Sequence, residues 1–460
     1  MRTERRLNAP KFRGVFPDRK STVVVSLDLS GQNKHAYRKL NHSEVKPRVG
    51  LNGLALLGLR DTRNALQRQN NGDKAMAVDT ETLEHLLETV RRFVEKRLIP
   101  LESQVAEDDH IPDDVIDEMR ELGLFGLTIP EAYGGLGLNT EEECRVVLEL
   151  GLTSPAFRSI IGTNNGIGSQ GLVMDGTEEQ KRHYLPRLAT GEIIGSFALT
   201  EPDAGSDSGA VQTKAIKQGD DYVLSGTKRY ITNAGSAQLF TVFARTDQNE
   251  VGSKGVSAFL VDANSAGISL SSPYKKMGQQ GAHVYDVMFD ECRVPAGNII
   301  GGVDNVHRGF QTAMKTLDRG RIHISALAVG CAKRLIAMST TYAVERKQFG
   351  KPIAEFQLIQ GMLADSQAEC YAAECMVLDA ARRRDNGESV KMIASCCKLF
   401  ATEMVGRVAD RAVQIHGGAG YIEEYAVSRF YRDVRLLRIY EGTSQIQQTI
   451  IARDLIRTFS

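Results

Sequence analysis

Arg438-Ile439-Tyr440-Glu441-Gly442-Thr443-Ser444-Gln445-Ile446-Gln447 is the stretch on which the reading of the chain turns. The apolar run from Leu436 to Tyr440 delivers a single carboxylate. Gly442, Thr443 and Ser444 then break the pattern ahead of an amphipathic helix that reaches about Arg457. Glu441 is therefore expected on a turn rather than on a solvated helix face. Thr443 or Ser444 is a good N-cap, so the unpaired amides of the following helix would open near the carboxylate and near any anion bound beside it. A carboxylate mounted in this way is placed to act as a base. In isolation it would read as an ordinary loop Glu, and the rest of the chain decides between the two.

At 460 residues, with 42% hydrophobic content and zero formal net charge, the chain can bury a large core and exceeds the usual single-domain length. Seven cysteines with no C-x-x-C pair form neither a metal signature nor a secreted disulfide framework, and Cys396-Cys397 falls within a helical pattern. A reducing compartment and no metal are expected. The longest apolar runs noted, Val23-Val24-Val25 and Leu54-Ala55-Leu56-Leu57, are far too short to cross a membrane, so a soluble protein with no membrane insertion and no nucleic-acid partner is expected.

Charge is unevenly spread. Residues 1–75 hold 16 Lys+Arg against 6 Asp+Glu, and they lack sustained helical or strand periodicity, which describes a basic, disordered extension. A targeting peptide, a nucleic-acid or membrane tail, and translation from an upstream start compete as explanations. The six acids weigh against the first. The last is favoured, because Met76 follows Asn-Gly-Asp-Lys-Ala, whose codons could contain a ribosome-binding site. The expected location is the cytoplasm of a bacterium, or the mitochondrial matrix if the extension is a transit peptide.

From Met76 the pattern is organised. Leu83, Leu86, Leu87, Val90, Phe93, Val94 and Leu98 recur at helical spacing up to Pro100, and further helices are expected over Asp113 to Leu124 and Gln180 to Leu188. Near Gly195 the period changes. Tyr222-Val223-Leu224, Leu239 to Ala244, Val256 to Val261 and Val284 to Phe289 are short runs bounded by turn residues, which indicates an antiparallel barrel or sandwich. After Pro295 long helical runs near 305 to 345, 355 to 385 and 388 to 416 predict a bundle. The expected fold class is α+β, with a helical domain at 76–194, a central β domain at 195–303 and a C-terminal four-helix bundle at 304–460.

Within the β block, Phe197-Ala198-Leu199-Thr200-Glu201-Pro202-Asp203-Ala204-Gly205-Ser206-Asp207 runs from a strand into a turn. Its amides and hydroxyls suit a ligand rich in acceptors, such as a flavin with its pyrophosphate. Arg229-Tyr230-Ile231-Thr232-Asn233 ends a neighbouring strand with an aromatic ring and a hydroxyl, suited to stacking on a planar ring. No G-x-G-x-x-G precedes a helix, so a Rossmann fold has no support.

Together with Arg346-Lys347-Gln348-Phe349-Gly350 and Gln414-Ile415-His416-Gly417-Gly418-Ala419-Gly420-Tyr421, these segments resemble the FAD-dependent acyl-CoA dehydrogenase family. The resemblance covers about Met76 to the C-terminus, in family order and spacing. It implies Glu441 as catalytic base, and Phe197, Leu199, Thr200, Ser206, Tyr230, Ile231, Thr232, Thr443 and Gln445 as contacts to FAD. It implies that Arg346, Gln348, Phe349, Gln357, Gln414, Gly417 and Gly418 reach the FAD of a neighbouring subunit. Ser206, Asp318, Arg321 and Gly442 are implied as substrate contacts. Many members carry Trp where this chain has Tyr230, and the chain contains no Trp.

The implied reaction is removal of an α-proton by Glu441 and of a β-hydride by flavin, converting a saturated acyl-CoA to a trans-2-enoyl-CoA in β-oxidation. Electron-transferring flavoprotein is the implied acceptor, and a homotetramer or homodimer the implied assembly. A few members place the base near the position of Gly320, which carries no carboxylate here. An acyl-CoA oxidase using oxygen, and a catalytically silent binding or assembly subunit, are the alternatives.

Overall fold

The computed structural model describes residues 79–460, so the expectations for residues 1–75 fall outside the described residues. Helix α1 (Thr80–Phe93) starts at Asp79, whose carboxylate accepts a hydrogen bond from the Thr82 amide at 3.0 Å. It buries Leu83, Leu87, Val90 and Phe93, the stripe expected from periodicity. The expected stop at Pro100 does not occur. A π-helical turn over Val94–Leu98 joins α1 to α2 (Ile99–Asp108), with the Ile99 amide reaching back to the Val94 carbonyl. The wider turn accommodates a proline ring that would clash inside a regular helix.

Helices α3 (Asp113–Glu121), α4 (Thr140–Leu150), α5 (Pro155–Asn165), α6 (Gln170–Asp175) and α7 (Glu178–Thr190) complete this block. α4 belongs to two cores at once. Val146 and Leu150 pack with the N-terminal helices, whereas Cys144, Val147 and Leu148 pack into the C-terminal bundle.

Seven strands form one curled sheet: β1 (Gly195–Ala198), β2 (Lys214–Gln218), β3 (Asp221–Thr232), β4 (Leu239–Arg245), β5 (Val256–Asp262), β6 (Ile268–Leu270) and β7 (Val284–Pro295). Most pairing is antiparallel, as expected from the turn spacing. β1 differs, since it lies parallel to β4 with Gly195 opposite Leu239. β4 is buried along its whole length because its two faces serve different cores. Phe240, Val242 and Ala244 point into one, and Leu239 and Phe243 into the other, the alternation a strand imposes.

The C-terminal block has three long helices, α8 (Gly309–Glu345), α9 (Gln357–Asp385) and α10 (Lys391–His416), preceded at α9 by a small hairpin of β8 (Lys347–Gln348) and β9 (Lys351–Pro352). The short α11 (Ala426–Asp433) follows, and α12 (Ser444–Phe459) packs along α10 as the fourth member of the bundle. One expectation is corrected here. α8 is long and apolar enough, by length and composition, to cross a membrane. Its apolar residues, among them Ile322, Ile324, Leu327 and Val329, are buried in the bundle core.

Candidate functional site

A short 3-10 turn over Val434–Arg438 leads into the base segment, with the Ile439 and Tyr440 amides both bonded to the Leu436 carbonyl. Glu441 and Gly442 then adopt left-handed backbone, with φ of 53° and 92°. This is strained for a Glu, and it turns the carboxylate out of the chain direction. The two carbonyls are held from behind. Gln447 Nε2 donates to the Glu441 oxygen at 3.2 Å and to the Gly442 oxygen at 3.0 Å, and Lys398 Nζ donates to the Gly442 oxygen at 2.7 Å. Thr443 caps α12 by accepting from the Ile446 amide at 3.2 Å, a bond typically contributing about 1 kcal/mol.

Among the described residues the Glu441 carboxylate finds no hydrogen bond at Oε2, although that oxygen is buried. Burial pushes its pKa above the ordinary carboxylate value, opposed by the charges of Arg158, Lys398 and Arg321. Across from it stands Gly320 on α8. A Cβ added there would lie 2.2 Å from Glu441 Oε2, so the absence of a side chain at Gly320 makes room for the carboxylate.

Glu441 opens on a cavity of about 560 Å³ that gathers most of the residues singled out from sequence. Phe197, Leu199, Thr200, Ser206, Tyr230, Ile231, Thr232, Arg321, Glu441 and Gly442 all line it. The turn after β1 is braced by Glu201, whose carboxylate accepts from the amides of Gln212 (2.6 Å) and Thr213 (2.9 Å) and from Lys228 Nζ (2.7 Å). Lys228, fully buried, also donates to the Leu199 carbonyl at 3.2 Å. The Arg229 amide bonds the Thr200 carbonyl at 2.7 Å, tying this turn to β3. Tyr230 sits in a bulge where the β3–β7 register shifts, at φ 58°, and the residue is 60% exposed. The bulge aims an aromatic face that a regular strand would have packed away.

Several lining residues escaped the sequence reading, and Arg158 on α5 is the foremost. Its Nε donates to His323 Nε2 at 2.6 Å, so His323 carries its proton on Nδ1, which donates to Glu143 at 2.8 Å. Glu143 also accepts from Arg319 at 2.7 Å. Burial and the neighbouring Arg158 push the His323 pKa down to about 4 despite Glu143. Burial alone would raise Glu143, but Arg319 and His323 bring it to about 2. The available signal was a lone Arg in the small, apolar run Pro155-Ala156-Phe157-Arg158-Ser159-Ile160-Ile161-Gly162, with no acid at helical spacing inside it.

Other predicted residues do not line the cavity. Asp318 pairs with Arg321 at 2.5 Å, Thr443 is engaged as the helix cap, and Gln445 is exposed on α12. Arg346, Gln348, Phe349, Gln357, Gln414, Gly417 and Gly418 fall at a separate corner. There Ile353 and Ile415 share a small core, Tyr342 stacks on His416 at 4.2 Å, and Phe349 packs edge-on to Phe356 while remaining 93% exposed. Among the described residues no cluster of His, Cys, Asp or Glu could hold a metal ion.

Comparison with known proteins agrees with this geometry. Three family models match in succession: the N-terminal domain of acyl-CoA dehydrogenase at residues 80–192, the middle domain at 196–292 and the C-terminal domain at 307–456. A probable acyl-CoA dehydrogenase of Bacillus subtilis is 43% identical over 82% of this chain and 99% of its own length. The caffeyl-CoA reductase–Etf complex subunit CarC of Acetobacterium woodii is 40% identical over 80% of this chain and 96% of its own. The solved butyryl-CoA dehydrogenase of Megasphaera elsdenii superposes with a TM-score of 0.79 at 34% identity, over 82% of this chain and 99% of that one. The chain belongs to the acyl-CoA dehydrogenase family, FAD-dependent oxidoreductases acting on CH–CH groups.

Proposed function

We propose that this enzyme dehydrogenates an acyl-CoA thioester between its α and β carbons, with Glu441 as the base. The observation that carries the reading is the Glu441 carboxylate, buried, unpartnered at Oε2 and facing the cavity opposite Gly320. The cavity wall fits FAD. Tyr230 offers an exposed ring face, Thr200, Ser206 and Thr232 offer hydroxyls, and a Cβ at Gly205 would meet nothing, so its backbone stands open to a ligand. FAD, when bound, supplies the acceptor for the β-hydride.

The chain's own groups do the rest. A carboxylate raised by burial is better matched to a weakly acidic α-carbon than a solvated one, and Arg158, Lys398 and Arg321 keep it ionisable. The Glu441 backbone amide has no acceptor within the described residues and is free to bond the thioester oxygen, where charge develops as the proton leaves. Thr200, Ser206, Tyr230 and Thr232 orient the partners, and the buried turn excludes water from the carboxylate.

Electrons leave through electron-transferring flavoprotein, a reading supported by the Etf complex to which the Acetobacterium relative is assigned. The same relative is named a reductase, which favours a second reading in which the same groups run the bond chemistry toward the saturated thioester. The exposed Phe349, Leu358 and Tyr421 near the corner of Arg346 and Gln414 support a dimer or tetramer in which that corner completes a neighbour's flavin site. The test is anaerobic addition of acyl-CoAs of graded chain length and branching to the purified holoenzyme. At least one should bleach the flavin absorbance, and failure of every saturated thioester, together with re-oxidation of dithionite-reduced flavin by enoyl-CoAs, would move the assignment to the reductive direction.

A further inference from the structure

Lys398 lies on α10, fully buried. A buried ammonium is costly unless it is paired and hydrogen-bonded. Among the described residues no carboxylate lies within ion-pair distance of it, and its side chain makes a single hydrogen bond, to the Gly442 carbonyl at 2.7 Å. The same helix reaches the base segment a second time. Glu403, about one turn further on, accepts from the Ser444 hydroxyl at 2.6 Å and pairs with Arg438 at 3.4 Å. α10 thus grips the base turn on both sides of Thr443, and Lys398 holds the side that carries Glu441.

The turn needs such a grip. Two successive left-handed residues, the first with a side chain, are not a conformation the backbone keeps unaided. Gln447 supplies two neutral bonds to the same carbonyls, so an ammonium at this place adds what a further amide would not, a positive charge. Four charged groups bear on the Glu441 carboxylate: Arg158 from α5, Arg321 from α8, Lys398 from α10 and Glu143 from α4. Arg321 is bound to Asp318, whereas Lys398 has no ion pair among the described residues, and of the two carboxylates that act on it, Glu441 outweighs Glu403.

We infer that Lys398 is the positioning residue of the base. Its ammonium locks the Glu441–Gly442 turn through the Gly442 carbonyl and balances the charge of the carboxylate that the turn presents. Burial lowers the Lys398 pKa to about 8, against the pull of Glu441, so the charge is present through the neutral range and fades above it. The inference rests on the reading of Glu441 as the base.

Two holoenzyme variants test it. Lys398→Met removes both bond and charge, and Lys398→Gln can keep a donor on the carbonyl without the charge. In Lys398→Met, kcat should fall on the order of 10²-fold with KM little changed, as expected for a misplaced reacting group. In both variants the acidic limb of the kcat/KM profile should move to higher pH, because the carboxylate loses a supporting cation. Lys398→Gln should recover part of the plateau rate but not the limb. FAD content should stay at the wild-type level. Unmoved acidic limbs in both variants overturn the inference, and so does failure of both to fold with flavin, which would make Lys398 a strut of the bundle only. A Glu441→Gln enzyme that still turned over would instead remove the reading of the base, so the two failures are distinguishable.

Discussion

Around Glu441 the carbonyls of the turn are bonded within the chain, and the charged groups behind it close on one another: Arg158 on His323, His323 and Arg319 on Glu143, Arg321 on Asp318. Around Arg346 the opposite holds. The Arg346 side chain is exposed with no ion pair among the described residues, Phe349 stands at φ 52° on the tip of the hairpin, and the end of α10 at Gly417 and Gly418 borders open space. The Glu441 turn is thus tied down within the chain, whereas the corner around Arg346 is left open. A strained, exposed aromatic suits a surface that a partner covers, so the contrast bears directly on the two proposals, Glu441 as base within the chain and the Arg346 corner as a contact between subunits.

The sharpest way to break this comparison is at Gly320. Gly320→Ala puts a methyl group into the Glu441 carboxylate while improving helix propensity by roughly 1 kcal/mol. Turnover should fall on the order of 10²-fold with the melting temperature essentially kept. Unchanged turnover would show that the carboxylate moves aside freely and that its placement matters little.

Arg346→Ala and Gln414→Ala address the other region. Loss of a charge-assisted bond should weaken FAD retention by about tenfold or more, and the oligomer should dissociate more readily as flavin is lost. An Arg346→Ala monomer that holds FAD normally would show the corner to be a plain surface.

A smaller effect tests how closed the network behind the cavity is. His323 has a pKa depressed from 6.5 to about 4, so the unfolded chain binds its proton first as pH falls. Its contribution to stability is full above 6.5 and is lost as pH falls through about 4, at up to about 1.4 kcal/mol per pH unit. His323→Gln, which can keep both hydrogen bonds without titrating, should flatten the melting temperature between pH 6.5 and 4. Glu143 adds its own loss only below about 4.5, toward 2. An equally steep slope in His323→Gln would place the titration elsewhere.

The smallest effect expected is that of removing residues 1–75. The first family match begins at residue 80, and a chain starting at Met76 should equal the full one in flavin content, melting temperature and turnover. A drop in melting temperature would show that the extension folds onto the enzyme, and the upstream-start reading would have to be given up.

What could be read from sequence was what is local. The turn at Glu441 and its Thr443 cap, the β1 turn into Ser206, and the stripe of α1 are each set by short-range spacing and turn chemistry, which carry the signal. Within the curled sheet, two strands were missed for specific reasons. β6 has only three residues, and β2 places Lys214, Lys217 and Gln218 in solvent, so neither shows an apolar run. Arg158, Lys398 and Gly320 come to Glu441 from three different helices, and no pattern within those helices announces the meeting. The π turn before Pro100 was hidden for the reverse reason, since a strong local rule, proline as helix stop, was overridden by a widened turn whose residues Val94 and Leu98 stay buried.

The most direct test of Glu441 separates proton removal from hydride transfer. An acyl-CoA analogue with sulfur in place of the β-carbon can lose its α-proton but has no hydride to give. In deuterated buffer the wild-type holoenzyme should exchange the α-hydrogens of this analogue. Glu441→Gln should bind FAD and the analogue equally well yet exchange at least about 10³-fold more slowly, with turnover of true substrates lost in parallel. Exchange at the wild-type rate in Glu441→Gln would contradict the account, because some other group would then be taking the proton.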